Sequence, residues 1–141
     1  MMMPAIRLDR AAALDHLRRV GDGHLALCLS GVPTVYPVDY RILNERIVFR
    51  ISTGSLVENL RRGIAIALEV DRRTARSAWS VIVSGVSRLV TEEADINRFD
   101  ELQWPWWIAS PAYTYIEMLI EDVSGRHLER DDVPGKRSPG Q

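Results

Sequence analysis

The 141 residues carry 18 basic and 19 acidic side chains, a net charge of −1, with 46% apolar and 26% charged positions. A chain of this length and balance folds as one domain that buries roughly two-thirds of its unfolded surface, which excludes a disulfide-stapled mini-protein. Near-neutral charge also excludes a general nucleic-acid or anionic-membrane binder, because such proteins gain affinity by neutralising phosphates with clustered cations. Lys136 is the sole lysine, so nearly every positive charge is a forked arginine suited to carboxylates and phosphates. One cysteine, Cys28, permits neither an internal disulfide nor a paired-cysteine metal motif, and a reducing cytoplasm is the expected setting.

Residues 1–8 read as an N-terminal extension without the apolar core of an export signal, and no later stretch is long enough to span a bilayer. Asp9 is placed to cap a first helix in which Ala13, Leu14, Leu17 and Val20 form one buried stripe. From His24 the pattern changes to short β-rich runs. His24 to Ser30 is a strand ending at Ser30-Gly31, and Thr34 to Ile42 and Arg46 to Ser52 form a hairpin about Asn44-Glu45. In its second arm Ile47, Phe49 and Ile51 share one face and Val48, Arg50 and Ser52 the other. The turn Ser52-Thr53-Gly54-Ser55 leads to a short helix, Leu56 to Arg62, closed by Gly63. Ile64 to Val70 is apolar on both faces and reads as a central strand.

Asp71 to Ala78 is a basic loop with Arg72, Arg73 and Arg76. A long strand, Trp79 to Thr91, follows, with a bulge expected at Gly85. Thr91 is placed to cap a helix over Glu92 to Gln103, with Glu92, Glu93 and Asp95 as dipole-matched charges at its start. The aromatic loop with Trp104, Trp106 and Trp107 is expected to pack over a barrel end or an interface. A last strand runs Tyr113 to Val123, and residues 129–141 read as a disordered tail. These elements predict a mainly β (α+β) domain over 9–128, a six-stranded antiparallel barrel with two or three short helices. His16, His24 and His127 have no partner at metal-ligand spacing, so no metal site is expected, and Cys28 reads as an inert buried thiol.

The densest chemistry lies between Pro33 and Leu60, where Arg50 precedes a hydroxyl-rich turn whose N–H groups can cradle an anion. The collinear order of Pro33-x-Val35-x-Pro37-Val38-x-Tyr40, Phe49-Arg50-x-Ser52, Gly54-Ser55, Leu68-Glu69-Val70-Asp71, Trp79-Ser80-Val81 and Ser124-Gly125-Arg126 resembles the pyridoxamine 5′-phosphate oxidase-like family. That resemblance implies a split β-barrel, a homodimer, and FMN or the deazaflavin coenzyme at the subunit interface. It further implies that Tyr36, Pro37, Val38, Asp39 and Tyr40 line the isoalloxazine, that Arg50, Ser52, Thr53 and Ser55 approach the phosphate, and that Trp79 and Ser80 lie near a flavin. The implied function is hydride transfer to or from a small organic substrate, with catalysis belonging mainly to the cofactor. One position departs from the family pattern: Leu56 stands where a phosphate-site lysine is usual. The alternative function is therefore a non-catalytic binding or sequestration protein whose phosphate site has decayed.

Overall fold

The computed structural model describes residues 5–52, 54–105 and 113–130. Within them lie eight strands and three helices. They are β1 (Ile6–Arg7), α1 (Arg10–Arg19), β2 (Asp22–Leu29), β3 (Val32–Leu43), β4 (Arg46–Ile51) and α2 (Gly54–Leu60), then β5 (Ala65–Arg73), β6 (Ser77–Leu89), α3 (Glu93–Asp100), β7 (Thr114–Leu119) and β8 (Asp122–Glu129).

Every pairing is antiparallel. Following the neighbours β6, β5, β2, β3, β4 and β7 returns to β6, so six strands close a ring and leave no free edge over the paired stretches. β8 and β1 extend the sheet outward from β6. The core fills the ring: Leu25, Ile47, Phe49, Leu68, Val70, Val81, Val83, Ile116 and Met118 are fully buried. At one end α1 inserts Ala13, Leu14 and Leu17, and α2 adds Leu56 and Leu60. A second cluster, outside β4 and β7, joins Val48, Val90, Phe99 and Tyr115 under α3.

Local signals explain the connections. Asp9 caps α1, its Oδ1 accepting from the Ala12 N–H at 2.8 Å. Ser30 and Gly31 both sit at positive φ, as a two-residue turn matched to strand twist requires, and Asn44 does so in the next hairpin.

Several expectations need correction. The final strand is two strands, β7 and β8, broken at Ile120 and Glu121, where the inward set changes from Ile116 and Met118 to Val123, Gly125 and His127. The short β1 supplies an eighth strand. Gly85 is no bulge, because the register of β6 with β5 runs unbroken through Ile66↔Gly85. It marks instead the point where β6 exchanges β8 for β7, and a Cβ there would lie 2.2 Å from the Leu119 carbonyl oxygen. The loop Asp71 to Ala78 shrinks to residues 74–76, since Arg72 and Arg73 continue β5. Helix α2 starts two residues earlier than expected, and α3 begins after Glu92 without a side-chain cap, so Thr91 does not serve as one. Cys28 is exposed on the outer face of β2 because its parity places Leu25 and Leu27 inside. Trp106, Trp107 and the tail from 131 onward lie outside the described residues.

Candidate functional site

The ladder between β3 and β4 contains only Tyr40↔Phe49 through Leu43↔Arg46. Continued, the same register would set Arg50 opposite Asp39 and Ser52 opposite Pro37, but β4 turns away into α2 and the strands splay. Residues 32–39 of β3 therefore pair with β2 along one edge and with no strand along the other among the described residues. Such an edge offers backbone donors and acceptors to a ligand, and Pro33 and Pro37 withhold two donors from stray strands. The described residues of the two segments singled out in the sequence, 36–40 and 50–52, flank this mouth.

Their side chains divide by strand parity. Tyr36, Val38 and Tyr40 point into the barrel with Leu25 and its neighbours. Tyr40 is fully buried and its hydroxyl donates to the Leu17 carbonyl at 2.8 Å, tying β3 to the end of α1. Burial raises the Tyr40 pKa above its ordinary value, with the nearby Asp22 charge adding to the shift. The Tyr40 N–H donates to the Gly21 carbonyl at 2.9 Å, so the backbone of Tyr36, Val38 and Tyr40 faces β2 and the open edge carries that of the alternate residues, Val35 and Pro37 among them. Pro37 is exposed and Asp39 buried. Ser52 and Ser55 are exposed beside the mouth, and Thr53 lies outside the described residues. Leu56 is 2% exposed and belongs to the core, so the position of the usual lysine is occupied by a barrel plug.

Arg50 leaves the outer face of β4 and enters an aromatic box. Its guanidinium carbon lies 3.8 Å from the Tyr113 ring centroid, 5.7 Å from Trp104 and 5.9 Å from Tyr115. Arg41 covers Trp104 from 4.9 Å and donates to the backbone oxygens of Tyr40 and Gln103. The Tyr113 and Tyr115 hydroxyls both donate to Asp100 Oδ1, at 2.8 and 2.6 Å. Burial foremost, then that carboxylate, raises the Tyr115 pKa. Stacking occupies the face of a guanidinium and leaves its N–H edge for an anion. Arg50 Nε is buried and has no hydrogen-bond partner. An orphaned donor on β4, two residues before exposed Ser52, is a group that an anion such as phosphate can satisfy; two-turn α2 adds little field of its own.

Trp79 and Ser80 are not brought to this mouth within one chain, because β6 is separated from β3 by β5 and β2, roughly 14 Å of sheet. They also face opposite ways. Trp79 turns inward, where His16 of α1 stacks on it at 4.4 Å between centroids. Desolvation, foremost, lowers the His16 pKa there. Ser80 faces the outer surface beside Glu69 and Asp71 of β5 and Arg126 of β8. The sequence reading missed the Arg41, Trp104, Tyr113 and Tyr115 box; the alternation of Tyr113 and Tyr115 with Ile116 and Met118 inward was its available signal.

A six-stranded antiparallel ring, plugged by helices and opened between two of its strands, defines the split-barrel class. The family model described as pyridoxamine 5′-phosphate oxidase matches residues 9–127, and the chain belongs to that family. Among curated proteins it is 28% identical over 135 residues to the uncharacterized protein Rv0080 of Mycobacterium tuberculosis, covering 89% of this chain and 87% of the relative. An FAD-binding protein from Mesorhizobium loti superimposes with a TM-score of 0.78 at 22% identity, covering 90% of this chain and 100% of the other. An FAD binding protein from Mycobacterium smegmatis does so with a TM-score of 0.73 at 23% identity, covering 90% and 99%.

Proposed function

We propose that this chain is a flavin-dependent oxidoreductase that holds FMN, or the deazaflavin coenzyme, at the mouth between β3 and β4 and transfers hydride to or from a small organic substrate. The observation that carries this reading is the buried Nε of Arg50, unpartnered among the described residues and two positions before exposed Ser52, where β4 leaves the edge of β3 open. Family membership and the flavin-binding neighbours support it. Arg50, Ser52, Thr53 and Ser55 would hold the phosphate, and the backbone of Tyr36, Pro37, Val38, Asp39 and Tyr40 would flank the ring system. When bound, the cofactor supplies the redox chemistry; the chain positions it and limits water.

The proposal includes a homodimer. Val35, Ile82, Val86 and Leu119 stand 61, 46, 45 and 50% exposed, and small Ala26 and Ala67 lie between Val35 and β6 on the same outer face. A second copy packed on this face would bring its Trp79 and Ser80 strand toward the first copy's mouth. Cys28, opposite Pro33 in the same face, reports on it: its thiol should label slowly in the dimer and quickly in a dissociated Val86→Arg variant. Sedimentation as a strict monomer at micromolar concentration overturns the dimer.

Titration of the purified protein with FMN and with the deazaflavin, followed by visible absorbance, tests the cofactor. Saturable binding that weakens about tenfold to a hundredfold in Arg50→Gln is expected, the range for one charge-assisted contact to phosphate. A dimer that binds neither cofactor ends the oxidoreductase reading and favours sequestration, toward which the burial of Leu56 already points.

A further inference from the structure

The Ser124-Gly125-Arg126 segment has no part in the reading above, and the structure gives it a local purpose. Gly125 lies under β1: a Cβ there would come within 3.2 Å of Leu8 Cδ1, of the Ser80 carbonyl oxygen and of Val81 Cγ2. The absence of that atom lets the chain press close, and the Leu8 N–H donates to the Gly125 carbonyl at 2.9 Å. The consequence is the pairing Arg7↔Arg126, two guanidinium groups directly opposite one another on adjacent strands. Like charges so placed are destabilising unless an anion lies between them.

The next strand supplies the rest. Arg126 pairs with Ser80 and Ser124 with Ile82, so two hydroxyls and two guanidinium groups share one outer face across β6, β8 and β1. They line a hollow of about 480 Å³. A second hollow of about 430 Å³ shares Ser80 and Arg126 and is edged by Arg73, Glu69 and Asp71. Of the other arginines, Arg10, Arg19, Arg46, Arg61, Arg72, Arg88 and Arg98 pair with carboxylates, whereas Arg18, Arg62 and Arg130 do not among the described residues. Among the described residues the side chains of Arg7, Arg73 and Arg126 have no hydrogen bond or ion pair. Of the carboxylates edging the second hollow, Glu69 meets His24 at 3.2 Å and also bonds to Asp71. Burial, then Asp71, raises the Glu69 pKa above its ordinary value.

We propose that Arg7 and Arg126, with the hydroxyls of Ser80 and Ser124, form a binding site for a phosphate or phosphomonoester group. Forked donors from two strands suit a tetrahedral dianion, and the hydroxyls complete its shell. The site lies three strands from the Arg50 mouth in the same chain and does not rest on the flavin reading. Two sources share this chemistry: a phosphorylated substrate or free phosphate, and the phosphate of a cofactor held by the neighbouring subunit.

The full-length protein should be titrated with inorganic phosphate and separately with FMN, by calorimetry, in the wild type and in Arg126→Gln, Arg7→Gln and Arg50→Gln. Both outer arginines are exposed, so their variants keep the fold, which a thermal melt verifies. Phosphate binding is expected to weaken about tenfold to a hundredfold in Arg126→Gln and Arg7→Gln and to persist in Arg50→Gln. Unchanged FMN affinity in the outer variants assigns the site to a free anionic ligand; a parallel loss assigns it to the cofactor phosphate. Absence of phosphate and FMN binding by the wild type, or binding indifferent to both outer arginines, overturns the proposal. Loss of FMN binding in Arg50→Gln alone bears only on the mouth.

Discussion

The ring closes where β6 meets β7 over only three residue pairs, Ser87↔Met118, Arg88↔Glu117 and Leu89↔Ile116, and Glu117 is its weakest point to perturb. Its side chain is 6% exposed. Oε2 accepts from Arg46 Nη1 at 2.9 Å, and Oε1 accepts from Arg88 Nε and Nη2 at 2.9 and 2.6 Å. One carboxylate therefore ties three strands, β4, β7 and β6. Glu117→Gln keeps the shape and removes the charge. Breaking a buried ion pair typically costs about 3–5 kcal/mol, since the remaining partner is left buried. Here the cost is reduced on two counts: the Arg88 side chain is 61% exposed and can rehydrate, and Arg46 keeps Asp95 at 3.5 Å. The expected loss is about 2–3 kcal/mol, or a fall of roughly 8–12 °C in the melting temperature for a domain of this size. Arg88→Gln should also cost about 1–3 kcal/mol, because it leaves Oε1 of the buried Glu117 without its two donors while Arg46 still holds Oε2. Urea unfolding provides the free energies, and hydrogen exchange should show residues 87–89 and 116–118 losing protection before the β2–β5 pair does. A Glu117→Gln protein within about 0.5 kcal/mol of wild type refutes the closure argument.

Gly85→Ala should destabilise by more than about 2 kcal/mol or fail to fold, because the obstructing atom is backbone, whereas Gly54→Ala, with open space around its Cβ, should be neutral or slightly stabilising in a urea melt. Tyr40 and Tyr115 both have raised pKa values, so the folded state holds phenolic protons that the unfolded chain releases near pH ~10. Their contribution is complete below that pH and is lost as pH rises above it; urea midpoints should decline through alkaline pH, less steeply in Tyr40→Phe. Leu56→Lys places a cation in a 2% exposed site, and thermal melting should show a loss of at least about 3 kcal/mol with no gain in FMN affinity. A stable Leu56→Lys protein with tightened FMN binding would show that this position still reaches a phosphate.

Features governed by neighbouring residues were legible in the sequence. The Asp9 cap, the Asn44 and Ser30-Gly31 turns and the central place of β5 between β6 and β2 each follow from a few side chains in a row. So does the parity of β4 that sends Arg50 outward. What escaped depended on contacts distant in sequence. The segment from Ile116 to Val123 alternates almost without interruption, and only the change of inward parity after Ile120 betrays the passage from ring to outer sheet. Gly85 resembles a bulge in one dimension, since the Leu119 carbonyl that requires it lies 34 residues away. The family motif singled out residues 36–40 and 50–55 together, yet could not tell that Tyr40 spends its hydroxyl on α1 or that Trp79 turns inward under His16. Cys28 looked buried by composition, and strand parity put it outside.

The thirteen-residue β6 belongs to two sheets at once, bonded to β5 from Ala78 to Val86 and to β8 and then β7 on its other side. That arrangement bears on which changes of chain length this protein can survive. Deleting one residue from β6 would reverse the facing of every side chain beyond the cut, because strand parity is two. A deletion before Trp79 would exchange it with Ser80 and unseat Arg88 from Glu117 in the same stroke. Insertions and deletions must therefore accumulate in the turn at 74–76 or the connection after Leu89, while the strand between them keeps its count of residues.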